Sequence, residues 1–181
     1  MAPHRSRFTL ASKGGLYGRK TDSGFRRAID TSPQTLRDNC EASLCNLQTD
    51  FIDFYYLHRW DRQVPIEDSV GALATLVQEG MIRQIGLSGV SADTLLRAHR
   101  VHPIAAVQGE YFVLTRNPER SVLQTCKAIG AAFVAFSPVG RGMLAADPLD
   151  VAAFVDNDIL RGMPGVGSNQ KKAPTHRLAS A

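Results

Sequence analysis
Two residue types able to hold or move a proton stand where apolar strand candidates end. His58 follows Phe51–Leu57, and Lys13 follows Phe8–Ser12. An imidazole exchanges protons near neutrality, and an ammonium group stabilises developing negative charge. Each has a plainer meaning when read singly. A histidine after an apolar strand is more often structural, and a lysine there is nearly always a surface charge. The three cysteines, Cys40, Cys45 and Cys126, are odd in number and widely spaced. That argues against a disulfide framework and a zinc site, and fits a reducing compartment. Cys40 and Cys126 fall on apolar helix faces, as small buried hydrophobes.

The net charge is +4. Basic residues gather near the start (Arg5, Arg7, Arg19, Lys20, Arg26, Arg27) and in the tail (Lys171, Lys172, Arg177). They lack the single face and aromatic partners of a nucleic-acid surface, so no nucleic-acid partner is expected. A solvated surface or a site for an anionic cofactor fits better. No apolar run approaches the roughly 18–20 residues of a membrane span. The basic stretch Met1–Arg7 is not followed by an apolar signal region. No membrane partner is expected, and the location read from this is cytoplasmic.

The elements that must position these residues alternate. The strand Phe8–Ser12 ends in Lys13, and Gly14–Thr31 is a polar loop left unassigned. Ser32-Pro33 opens a helix with the stripe Leu36, Cys40, Leu44 and Leu47. The run Phe51–Leu57 is apolar enough for a strand covered on both sides. Pro65 begins a helix with Ile66, Val70, Leu73 and Val77 inward and Gly80 as its stop. Met81–Leu87 is a strand, Ser91 caps a helix to about Val101, and Ile104–Gln108 is a strand. Asn117-Pro118-Glu119 starts a helix with Val122, Cys126 and Ile129 inward, ended by Gly130, and Ala132–Phe136 is a fifth strand. Such alternation implies parallel strands joined by crossovers, in a doubly wound sheet or a (β/α)8 barrel. No GxGxxG fingerprint follows the first strand. One further helix is expected within Asp147–Met163, and a disordered tail over 165–181.

Asp53-Phe-Tyr-Tyr-Leu-His58-Arg59-Trp60-Asp61 resembles the signature of the aldo-keto reductase family. Further stretches resemble the same family, in its order: Leu10–Lys13, Glu79–Ser88, Ala106–Tyr111, Ala135–Gly142 and Asp156–Pro164. The resemblance implies a partial TIM (β/α)8 barrel over 1–164, about five of eight strand–helix units. It also implies NADPH as cofactor and reduction of aldehydes or ketones to alcohols, with a small-molecule carbonyl substrate as partner. It makes His58 and Lys13 the catalytic histidine and lysine, and both stand at C-terminal strand ends, where barrel active sites are built. It gives Ser88 and Gln108 to the nicotinamide carboxamide and Phe136 to its ring, where the family usually has tyrosine. The backbone after Ser137, near Gly140, meets the pyrophosphate, and Arg141 adds charge. Gly89 stands where the family often has a polar residue. No metal is expected.

The resemblance begins at the family's third strand. The strands that carry its aspartate and its tyrosine proton donor have no counterpart here, and Tyr17 lies in the wrong place. The residues for the adenosine phosphate have none either. The expectation is a chain truncated at both ends, with impaired reductase activity and open sheet edges that invite self-association. The alternative is a non-catalytic, cofactor-binding pseudoenzyme or regulatory subunit.

Overall fold
A computed structural model describes residues 2–21, 24–142 and 144–145. Met1–Phe136 forms one unit and Ser137–Ala181 a second. The helix expected within Asp147–Met163, the loop resemblance at Asp156–Pro164 and the tail over 165–181 lie outside the described residues.

A 3₁₀ segment, Ala2–Arg7, leads into β1 (Ala11–Gly14). This strand begins later than the apolar run suggests. The Leu10 carbonyl accepts from the Asp53 and Phe54 N–H groups at 3.1 and 3.0 Å, and the Leu10 N–H donates to the Asp53 carboxylate at 2.8 Å. Those bonds fix where pairing starts, so Phe8 and Thr9 stay outside the strand and Lys13 lies inside it. The segment left unassigned is a hairpin of β2 (Leu16–Thr21) and β3 (Gly24–Ile29). Its base is closed by Asp30 N–H donating to the Gly15 carbonyl at 3.1 Å. It shows no apolar alternation because it does not cover the core, and both Tyr17 and Ile29 are exposed.

α1 (Pro33–Leu47) starts at Ser32, whose hydroxyl accepts from the Thr35 N–H at 3.4 Å. β4 (Ile52–Leu57) follows, then α2 (Ile66–Gln78), which buries Ile66, Ser69, Val70, Leu73 and Leu76. Val77, expected inward, is only half-buried, because the stripe turns through Leu76 instead. β5 (Ile82–Ser88), α3 (Ala92–Val101) capped by Ser91, and β6 (Ile104–Glu110) come next. Asn117–Arg120 forms a separate 3₁₀ turn, pinned by the Glu119 carboxylate, which accepts from the Tyr111 hydroxyl at 2.6 Å and from Arg116. α4 therefore starts only at Val122 and runs to Ile129, before β7 (Ala132–Phe136).

The sheet order is β1-β4-β5-β6-β7, every pair parallel. The order never reverses, whereas a doubly wound sheet has a switch point where it does. Tyr55 and Leu57 of β4, Ile85 and Leu87 of β5 and Val107 of β6 pack into one core cluster with Leu36, Cys40, Val70, Leu73, Leu95 and Cys126 from the four helices. The helices thus cover one face, as in the wall of a barrel. Among the described residues β1 and β7 are the outer strands. Cys40 and Cys126 are buried free thiols, and burial raises the pKa of Cys40 to about 11.

Candidate active site
Side chains alternate along a strand, so the residues between the core positions point to the helix-free face. Lys13 pairs in register with Tyr56, Tyr56 with Gly86, and Gly86 with Ala106. Phe54 and Tyr56 stack with ring centroids 6.4 Å apart, forming an apolar floor. Tyr56 lies flat across β5, and a Cβ on Gly86 would run into its ring. One step toward the C-terminal ends comes the row that can do chemistry. His58 follows β4, Ser88 pairs with Gln108, and Glu110 pairs with Phe136. Five of the eight residues picked from the sequence, Lys13, His58, Ser88, Gln108 and Phe136, thus share one face on five adjacent strands.

The His58 backbone N–H donates to the Gly14 carbonyl at 2.9 Å, extending the β1–β4 pairing past the strand. Its imidazole is half-buried. Its pKa is held below the ordinary 6.5 by burial first, and then by the positive charges of Lys13, Arg59 and Arg27. The ring is therefore neutral near pH 7, with one N–H to donate.

The loop after His58 is built rather than slack. The Asp61 carboxylate accepts from the N–H groups of Thr31, Gln63 and Val64 at 3.0, 2.9 and 3.1 Å. Burial alone would raise its pKa, but those bonds outweigh burial and hold it ionised. Trp60 Nε1 donates to the Val64 carbonyl at 2.7 Å. Together they tie the hairpin's exit to the loop that presents His58 and Arg59.

Ser88, Gln108 and Phe136 border a cleft of about 380 Å³ at the C-terminal ends of β5–β7, whose lining also takes in Arg59, Gly89 and Glu110 and, from the helix-covered side, Val107, Val122 and Phe133. Gly89 N–H donates to the Gln108 carbonyl at 2.9 Å, holding the β5 end against β6. Gly89 has φ +65, and a Cβ there would stand 3.1 Å from Arg59 Nη1. Lys13 and His58 are not part of this lining. They stand beside it, on the strands before β5. Ser137, Gly140 and Arg141 belong to the second unit. There Gly140 N–H donates to the Ser137 carbonyl at 2.9 Å, and all three residues and Gly142 have positive φ.

Arg59 and Tyr56 were not singled out by the sequence reading. Arg59 sat inside a recognised motif, but nothing in its spacing marked it as turned toward the cleft. Tyr56 was one letter of an apolar run. Its close approach could have been read from Gly86, a glycine inside a strand pattern. Among the described residues no group of His, Cys, Asp and Glu could hold a metal ion, and no helix is long and apolar enough to cross a membrane.

A model of the Aldo/keto reductase family matches residues 2–174. The chain is 44% identical over 139 residues to "Probable aldo-keto reductase 1" of Glycine max, covering 76% of this chain and 39% of that protein. The fold is similar to that of the glycerol dehydrogenase AKR11B4 from Gluconobacter oxydans, with a TM-score of 0.80 and 26% identity. That match covers 89% of this chain and 50% of the other. It is also similar to an aldo/keto reductase from Klebsiella pneumoniae in complex with NADP and acetate, with a TM-score of 0.63 and 30% identity. There the coverage is 78% of this chain and 47% of the other. The chain spans half or less of the length of these relatives.

Proposed function
The chain belongs to the aldo/keto reductase family, and on that premise we propose that its helix-free face binds NADPH and a carbonyl substrate, as an oxidoreductase reducing aldehydes or ketones to alcohols. One observation carries the reading: a hydroxyl, an amide and an aromatic ring, from Ser88, Gln108 and Phe136, line one cleft beside a neutral histidine. These groups fit a nicotinamide. Ser88 and Gln108 can hydrogen-bond a carboxamide, and the half-buried Phe136 ring offers a stacking face. Taken by itself, the second unit's left-handed turn at Gly140–Gly142 has a backbone that suits close approach of an anionic group. NADPH, when bound, supplies the hydride.

The chain's own residues orient and polarise the carbonyl. His58 donates a hydrogen bond to the carbonyl oxygen, and the Lys13 ammonium stabilises the charge that develops there. Among the described residues no acidic hydroxyl stands with them. Tyr56 lies flat across Gly86 with burial raising its pKa, and Tyr17 is exposed on the hairpin. This favours a second reading: binding that outlasts its chemistry, with little turnover, or a cofactor-binding pseudoenzyme that associates through β1 and β7. We place either form in the cytoplasm, in keeping with its free thiols.

The test is a titration of the full chain with NADPH, followed by quenching of Trp60 fluorescence and accompanied by circular dichroism. Saturable binding, weakened about tenfold in Gln108→Ala, is the expected result. A folded sample that shows no saturation would overturn the reading. NADPH oxidation with an aldehyde, abolished by His58→Ala, would decide for the enzyme over the pseudoenzyme.

A further inference from the structure
Arg59 borders the cleft beside the residues proposed to hold the nicotinamide. It follows His58 directly, so the two residues are carried by the same loop. Asp61 holds that loop through three backbone bonds, and the Trp60 indole holds it through a fourth. The guanidinium folds back across β5 and lies over Gly89, with Nη1 where a side chain at 89 would reach. It borders the cleft of Ser88, Gln108 and Phe136. Among the described residues no carboxylate forms an ion pair with it, whereas Arg5, Arg37 and Arg83, which line other clefts, are paired at 2.6, 2.6 and 3.8 Å. Its charge reaches His58, adding to those of Lys13 and Arg27. At the rim of the cleft thus stands a planar fork of donors matched to a carboxylate. Glu110, from the end of β6, is the carboxylate of the same lining.

We propose that Arg59 is the specificity-determining cation of the site, and that it selects carbonyl substrates carrying a carboxylate. This rests on the carbonyl-reductase reading, since the aldehyde must lie at His58 for its remote anionic group to meet Arg59. The same fork could instead meet a phosphate of the cofactor, and the test must separate the two anions.

Calorimetric titration of the full 181-residue chain saturated with NADP+, which cannot reduce the probe, compares 4-formylbenzoate with the neutral isostere 4-formylbenzamide. The expected result is about a tenfold preference for the carboxylate, the scale of one charge-assisted hydrogen bond at a partly solvated site. Arg59→Gln should reduce that ratio to near one and Arg59→Lys should keep part of it, while NADP+ affinity shifts less than about twofold. A ratio near one in the wild type, or one that survives Arg59→Gln, overturns the proposal and leaves the carbonyl-reductase reading standing. If Arg59→Gln weakens NADP+ as much as the aldehyde, the anion is the cofactor's and the proposal falls. A folded wild-type chain that binds neither NADP+ nor either aldehyde sinks both readings together.

Discussion

At the N-terminal end of the parallel sheet, Arg5 and Arg83 both lie over the Phe51 ring, at 4.3 and 4.0 Å, and share the Asp53 carboxylate at 2.6 and 3.8 Å. At the C-terminal end, Lys13, Arg27 and Arg59 gather around His58, and among the described residues no carboxylate pairs with them. Asp61 is close by in sequence, but backbone N–H groups occupy it. The two ends use the same residue types differently. Charge at the first is neutralised inside the molecule and closes the start of β1 onto β4. Charge at the second lies beside a cleft, bordered by Arg59 and by the Glu110 carboxylate. In (β/α)8 architecture the N-terminal end is the stabilising one and the C-terminal end carries active sites, and the proposed site uses the same division. It extends here to a five-stranded sheet.

The sharpest way to break the contrast is to remove Asp53. Asp53→Ala leaves the Leu10 N–H without its 2.8 Å acceptor and sets Arg5 beside Arg83 with no neutralising charge. A loss of about 2 kcal/mol is expected, as for a partly buried, hydrogen-bonded charge pair deprived of one partner. Urea unfolding measures it, and NADPH affinity of the folded protein should not change. An equal loss of affinity would show that the two ends are not separable.

A smaller effect is expected at the opposite end, in the opposite observable. Phe136 closes the cleft at the end of β7, half-buried. Phe136→Ala removes a stacking surface for a nicotinamide, about 1 kcal/mol beyond simple contact, or roughly fivefold in Kd for NADPH. Stability should fall less than for Asp53→Ala, because β7 is an outer strand and much of its length is exposed. Phe136→Tyr should bind as the wild type does. If Phe136→Ala lowers stability while the folded protein binds NADPH as before, the ring is core and the cleft is not the cofactor's.

The sequence made the alternation of strands and helices legible because the central strands β4, β5 and β6 are packed against helices and each helix carries one apolar stripe. Leu36 and Cys40, or Ile85 and Leu87, announce their burial by type and spacing. The hairpin Leu16–Ile29 escaped because it buries no such stripe, and the start of β1 escaped because a side chain 43 residues away, Asp53, sets it. The same division runs through the site. His58, Ser88, Gln108 and Phe136 stand at strand ends, so parity and register placed them on one face once the sheet was known. Arg59 did not follow from register. Its direction depends on a left-handed glycine at 89 on a neighbouring strand's exit, and no local pattern encodes that contact.

The two ends should also part on the pH axis, the smallest of the expected effects and the one most specific to the contrast. His58 is held below its ordinary 6.5, by burial first and then by Lys13, Arg59 and Arg27. Between the folded value and 6.5 the unfolded chain binds more protons than the folded one. Stability therefore falls as pH drops below about 6.5, and the loss levels off once the folded imidazole is also protonated. Asp53 behaves in the other sense. Burial would raise its pKa, but the Leu10 N–H, the Arg5 bond and the charge of Arg83 outweigh burial and hold it below the ordinary 3.8. Its contribution persists down to about pH 3.8 and is lost as pH falls through the lower folded value. Urea midpoints measured across pH should accordingly show an upper step that His58→Gln removes and a lower one, shared with Asp61 and other paired carboxylates, that Asp53→Asn reduces. Binding an anion at Arg59 should shift the upper step alone, by offsetting part of the positive field on His58. If both steps moved together, or if His58→Gln left the upper step in place, the cations at the mouth would be ordinary surface charge and the contrast between the ends would fail.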